Sequence, residues 1–192
     1  LLAIRRGTQE VLFFNRELEL FDSIKVAQCH DAHGIEAVDD KLYCLSTSTN
    51  EVIEVDLNTK SVTNVFKDLI RPYPPSPRHQ PHVNTIEKIG KHLYIMAHRD
   101  HVEDKACVYQ FDPTQEHAVR WAGNLGMYSH SLLEHQNQIW TCDSQGLKVF
   151  SIQNPKENCI EIAPNNMWAR GLAVDDFFYI GLSAASCRAQ RH

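Results

Sequence analysis

A four-residue phrase recurs along the chain at intervals of about 40 to 50 residues. His33-Gly34-Ile35-Glu36 returns as His82-Val83-Asn84-Thr85, as His130-Ser131-Leu132-Leu133 and as Arg170-Gly171-Leu172-Ala173. After each copy come a short polar break and an aromatic-bearing apolar run: Leu42-Tyr43-Cys44-Leu45, Leu93-Tyr94-Ile95-Met96, Ile139-Trp140-Thr141-Cys142 and Phe177-Phe178-Tyr179-Ile180. A repeat of this length stacks one supersecondary unit on the next, because a single unit cannot bury its apolar faces alone. It also superposes positions, so the phrase places His33, His82, His130 and Arg170 at one level of successive units.

Each unit divides into four short strands. In the best-defined copy they span 34–38, 41–46, 51–57 and 61–66, with breaks at Asp39-Asp40, 47–50 and Asn58-Thr59-Lys60. Asp, Asn, Ser and Thr in gaps of two to four residues between β-branched and aromatic runs are hairpin chemistry. The next unit turns at Gly90-Lys91, through a longer 98–105 loop and at Asp112-Pro113-Thr114, and the one after at Gln136-Asn137, 143–146 and 153–155. No stretch keeps a helical period, which excludes helical solenoids. The expected fold is all-β: a β-propeller of four-stranded antiparallel blades. The boundaries read as an outer half-blade over 1–28, blades over 29–80, 81–127 and 128–167, and an inner half-blade over 168–192. That division favours a fragment of a larger propeller covering about four blades over a ring closed by its own ends.

Composition narrows the function. The chain has 192 residues, 43% hydrophobic and 22% charged, with a formal net charge of −5. These are ordinary values for a soluble globular domain, and the acidic balance argues against nucleic acid or an anionic membrane as partner. No apolar run approaches a membrane span and no signal peptide is visible. The six cysteines lack any C-x-x-C spacing and read as reduced, structural residues. Cysteine usage of this kind favours the cytoplasm. Five of the eight prolines fall within 70–81. That stiff connector reads as a spacer or as a rim loop for a protein partner.

In a blade, the connection into the inner strand and the loop after the second strand share one face. Six of the eleven histidines (30, 33, 82, 98, 101 and 130) then gather on one side. Imidazoles from three blades can meet only near the axis. His33, His82 and His130 are therefore candidate ligands for a divalent metal such as Fe, Zn or Ca. Arg170 suits an anionic group, with Asn84 and Asp100 as further ligand-binding candidates. His98 and His101 are candidate acid–base groups, and Asp31 could orient an imidazole. The alternative is that the histidines cap blades and fix register.

Ala32-His33-Gly34-Ile35 resembles strand starts in propellers of the paraoxonase and gluconolactonase group, and the runs 51–57 and 61–66 resemble NHL and YVTN blades. The His-rich inner strands are similar to those of carotenoid oxygenases, and that resemblance implies an axial iron held by four histidines. Here Arg170 stands in the fourth place. The likeness also extends to uncharacterised bacterial propellers. The expected function is binding of a small polar or anionic molecule at the channel mouth; for an enzyme, the expected class is metal-dependent hydrolysis or oxygenation. The rival is a non-catalytic interaction module with structural histidines.

Overall fold

The computed structural model describes residues 1–5, 7–70, 81–98, 105–162 and 167–184. These form seventeen strands and no helix. The first sheet holds β1 (Leu2–Arg5), β2 (Glu10–Phe14) and β3 (Leu20–Lys25). Three four-stranded sheets follow. The first of them is β4 (Ala32–Val38), β5 (Lys41–Ser46), β6 (Glu51–Asp56) and β7 (Ser61–Phe66). The next is β8 (His82–Ile89), β9 (His92–His98), β10 (Cys107–Asp112) and β11 (His117–Ala122). The third is β12 (His130–His135), β13 (Gln138–Asp143), β14 (Lys148–Ser151) and β15 (Cys159–Glu161). A two-stranded sheet of β16 (Met167–Val174) and β17 (Phe178–Ala184) comes last. Every sheet is an antiparallel meander in chain order. The innermost strands β4, β8, β12 and β16 contact one another in succession. This is the blade arrangement of a β-propeller.

The expected strands and turns of the three complete blades match these elements closely. The first sheet differs: beside the two expected strands it contains β1, paired Leu2↔Phe13 to Arg5↔Glu10. Leu2-Ala3-Ile4-Arg5 is too short to show a period, so pairing with β2 rather than local pattern makes it a strand. Of the proline-rich connector, 71–80 lies outside the described residues.

The second strand of each blade explains the continuous apolar runs. In the three four-stranded blades it is buried on both faces, and alternate side chains serve alternate seams. In β5, Leu42 and Cys44 pack toward the first sheet, whereas Tyr43 and Leu45 pack toward the next blade. In β9, Leu93, Ile95 and Ala97 face one seam, and Tyr94 and Met96 the other. Four apolar clusters thus fill the four seams between the five sheets. The outermost strands are largely exposed; all three residues of β15 are.

Polar fasteners cross the same seams. Thr47, just past β5, donates its hydroxyl to the Val83 carbonyl of the next inner strand at 2.7 Å. Ser144, at the same place past β13, donates to the Ala169 carbonyl at 2.5 Å. Both hydroxyls are buried, so each also satisfies a carbonyl that would otherwise be costly to bury. Close approach of inner strands adds a steric requirement at Gly34. A Cβ there would stand 3.0 Å from both the Ile86 backbone nitrogen and Leu45 Cδ1. Gly34→Ala is expected to cost about 1–3 kcal/mol through overpacking, read as a lowered denaturation midpoint with an unchanged m-value. An unaltered midpoint would show that β4 and β8 can separate freely.

Candidate functional site

Each inner strand carries a register irregularity near its start. The shifts lie between Ala32 and Ile35, Val83 and Thr85, His130 and Leu132, and Ala169 and Gly171. An extra residue re-aims side chains locally, and its exact place differs from blade to blade. His33 falls inside its irregularity. His82 precedes the extra residue, Asn84, by two and pairs with His98. His130 precedes the extra residue Ser131, whereas Arg170 is itself the extra residue. The four residues of the repeated phrase are therefore not superposed, which corrects the equivalence read from sequence.

What the structure brings together is a chain of rings across the inner strands. The rings of His33 and His82 meet edge to face at 5.3 Å. His82 stacks on His98 at 4.4 Å. His98 contacts His130 at 5.9 Å and the edge of Tyr128 at 5.2 Å. Tyr128 stacks on Trp168 at 5.5 Å and 16°, and the Arg170 guanidinium carbon lies 4.9 Å from the Trp168 ring centre. The path runs from β4 to β16 without a break. His98 and His130 are buried, at 4% and 8% exposure, while the other members are part-exposed. Tyr128 and Trp168 were not singled out from sequence, although a signal exists: each stands two residues ahead of its repeated phrase.

His130 has a defined protonation state. Its Nδ1 lies 2.6 Å from the Tyr128 carbonyl and 3.0 Å from Ser144 Oγ. The Ser144 proton is committed to Ala169, so Nδ1–H is the donor and Nε2 carries the lone pair. Burial foremost, then the charges of Arg170 and His33, push the imidazole down to about 4 against the Tyr128 hydrogen bond, which raises it. His130 is thus a neutral base inside the field of Arg170.

Neighbouring groups set the remaining geometry. Asp31 Oδ1 lies 3.6 Å from His33 Nε2. Asn84 is 4% exposed; its amide donates to the Ser129 carbonyl at 2.8 Å, and its buried Oδ1 has no hydrogen-bond partner among the described residues. His30 lies outside the ring chain, is exposed, and meets Gln9 through its Nδ1. Asp100 and His101 fall outside the described residues. Deeper along the inner strands, Glu36 and Glu87 oppose the aromatic residues Tyr43 and Tyr94. Burial and mutual repulsion raise Glu87 to about 7, and burial raises Glu36.

No group of three His, Cys, Asp or Glu side chains that could hold an ion occurs among the described residues. His33, His82 and His130 are strung through ring faces and edges rather than aimed at one point, and His130 Nδ1 is spent on protein partners. The cysteines fit their structural reading: Cys29, Cys44, Cys107 and Cys142 are buried free thiols and Cys159 is an exposed one. Burial pushes Cys29 up to about 11 and Cys142 to about 12, which makes both poor nucleophiles.

No family model and no curated protein matches the chain. Solved structures do. The β-propeller domain of Myceliophteria thermophila Cps50 (Swd1) superposes with a TM-score of 0.52 at 11% identity. The match covers 90% of this chain and 57% of that domain, so the chain spans just over half of that propeller. The computationally designed Ika4 protein matches with a TM-score of 0.49 at 10% identity, over 85% of this chain and 96% of that one. The chain has a β-propeller fold. Identities this low carry the fold alone, and the finer likeness to NHL, YVTN or paraoxonase-type blades has no family match beside it. No helix among the described residues is long and apolar enough to cross a membrane.

Two pH effects of opposite sign follow. Unfolded His130 titrates near 6.5 and folded His130 near 4. As pH falls from 6.5 to 4, the unfolded chain gains a proton that the folded chain refuses. This residue therefore removes stability on acidification, on the order of 3 kcal/mol by pH 4. His130→Gln is expected to flatten that loss in denaturation curves at pH 7 and 4.5. Glu87 acts the other way. Its folded value is above its ordinary 4.5, so the folded chain binds the proton first as pH falls from 7 to 4.5 and gains stability. Glu87→Gln should raise the denaturation midpoint at pH 8 and leave it little changed at pH 4.5.

Proposed function

We propose that the chain binds a small anionic molecule at the channel mouth lined by His33, His82, Tyr128, Trp168 and Arg170. One observation carries this reading: the ring chain spans the inner strands of successive blades and ends on a guanidinium. An aromatic wall with a planar cation at one end gives an anion a charged fork and a flat surface to lie against. His130 is held neutral at neutral pH first by burial and then by the Arg170 charge, so Arg170 supplies the positive charge beside it.

His98 and His130 act here as buried supports. His98 is held between His82 and the edge of Tyr128, which fixes the wall rather than exposing an acid–base group. His130 ties Tyr128 to Ser144, and Ser144 ties that blade to β16. Ser131 adds a second tie by donating its hydroxyl to the Arg170 carbonyl at 3.1 Å. Arg170 is thereby placed by its backbone as well as by Trp168. The reading is a binding site, with no reaction assigned to it.

Trp168 supplies the readout, because anything that draws the guanidinium from its ring changes its emission. Titration with acetate, succinate and inorganic phosphate should shift tryptophan fluorescence saturably for at least one of them. The shift should vanish in Trp168→Phe, and affinity should fall by about tenfold or more in Arg170→Gln. Absence of any saturable shift, or unchanged affinity in Arg170→Gln, would overturn the reading.

A further inference from the structure

A second cleft opens at the opposite end of the inner strands, on the seam between the β4–β7 and β8–β11 blades. Its volume is about 300 Å³, at the small end of ligand pockets. Its floor is apolar: Val38, Tyr43, Leu93 and Phe111. Three of these are buried and Val38 packs on the same cluster. Its rim is polar and includes Lys88, Lys91, His92 and Gln110. His82 starts β8 and the Gly90-Lys91 turn follows its end, so this cleft is separate from the histidine mouth.

The rim is arranged to donate. Neither Lys88 nor Lys91 forms an ion pair with a carboxylate among the described residues. Gln110 Nε2 lies 2.7 Å from His92 Nδ1. An amide nitrogen can only donate, so His92 Nδ1 accepts and the ring proton sits on Nε2. His92 is thereby fixed as a second kind of N–H donor beside the two ammonium groups. Carboxylates also border the cleft: the Lys88 charge acts on Glu36, and the charges of Asp39 and Asp40 reach Tyr43. Asp112 Oδ1 accepts from the Thr114 backbone at 2.9 Å and its hydroxyl at 2.7 Å. Glu54 takes the Tyr43 hydroxyl at 3.2 Å and Lys41 at 3.3 Å.

We infer that this cleft binds a small organic anion with an apolar or aromatic body, such as a phosphomonoester or carboxylate. The body lies on Tyr43, Leu93 and Phe111, and the anionic head meets Lys88, Lys91 and His92 Nε2–H. Ammonium groups held beside an apolar floor favour an anion that brings its own apolar surface over a bare inorganic ion, because burial of that surface adds to the charge attraction.

The test uses the full chain with phenyl phosphate as probe, and inorganic phosphate and phenol as comparators, read by calorimetry. Phenyl phosphate should bind one to one, more tightly than either comparator. The double variant Lys88→Gln/Lys91→Gln should weaken it by about tenfold or more at an unchanged melting temperature. Gln110→Leu, which frees the His92 ring, should weaken it less. No saturable binding of phenyl phosphate, equal affinity for inorganic phosphate, or an unaffected double variant would each overturn the inference.

Discussion

The seam between neighbouring blades is the interaction on which the rest of this structure depends. A lone antiparallel sheet of four short strands has two apolar faces and no means of covering either. Here both faces of each four-stranded sheet are covered by its neighbours, and the second strands β5, β9 and β13 supply side chains to both sides. Buried hydroxyls at Thr47 and Ser144 then pin one blade to the backbone carbonyls of the next inner strand. Apolar burial holds the blades together, and these directional bonds fix their axial offset.

The turns and the apolar runs of the second strands were legible in the sequence because both depend on local chemistry. Asn58-Thr59-Lys60, Gly90-Lys91 and Gln136-Asn137 fall where the hairpins turn. Left-handed backbone at Lys60, Gly90, Gln136 and Asn137 shows why Gly, polar residues and Asn serve there. The extra residue in each inner strand was not legible. An extra residue leaves no compositional mark, and it shifts the phrase by one or two places from blade to blade. His82 was for that reason aligned with His33 and His130, although its ladder partner is His98. Strand β1 was missed for a different reason: four residues are too few to show alternation, and only the partner strand decides their conformation.

The mouth shows how one residue type can serve two ends at different depths. Imidazole is amphipathic, so His98 can be nearly fully buried against other rings while His33 reaches solvent beside Asp31. The histidine count pointed to the right end of the propeller. Metal ligation needs nitrogens aimed at one point, whereas the described rings face one another. Arg170 then becomes the charged feature of the site. The two aromatic residues that shape its surroundings, Tyr128 and Trp168, precede the repeated phrase by the same two residues.

The buried cysteines divide among the seams unequally. Cys29 and Cys44 lie in the seam between the first sheet and the β4–β7 blade, Cys107 in the next, and Cys142 in the seam before β16 and β17. A buried thiol meets a solvent-borne reagent only when the protein around it opens. The chain therefore carries its own set of address-specific probes. The rate at which each thiol is alkylated under native conditions ranks the seams by the free energy needed to part them, without any added label.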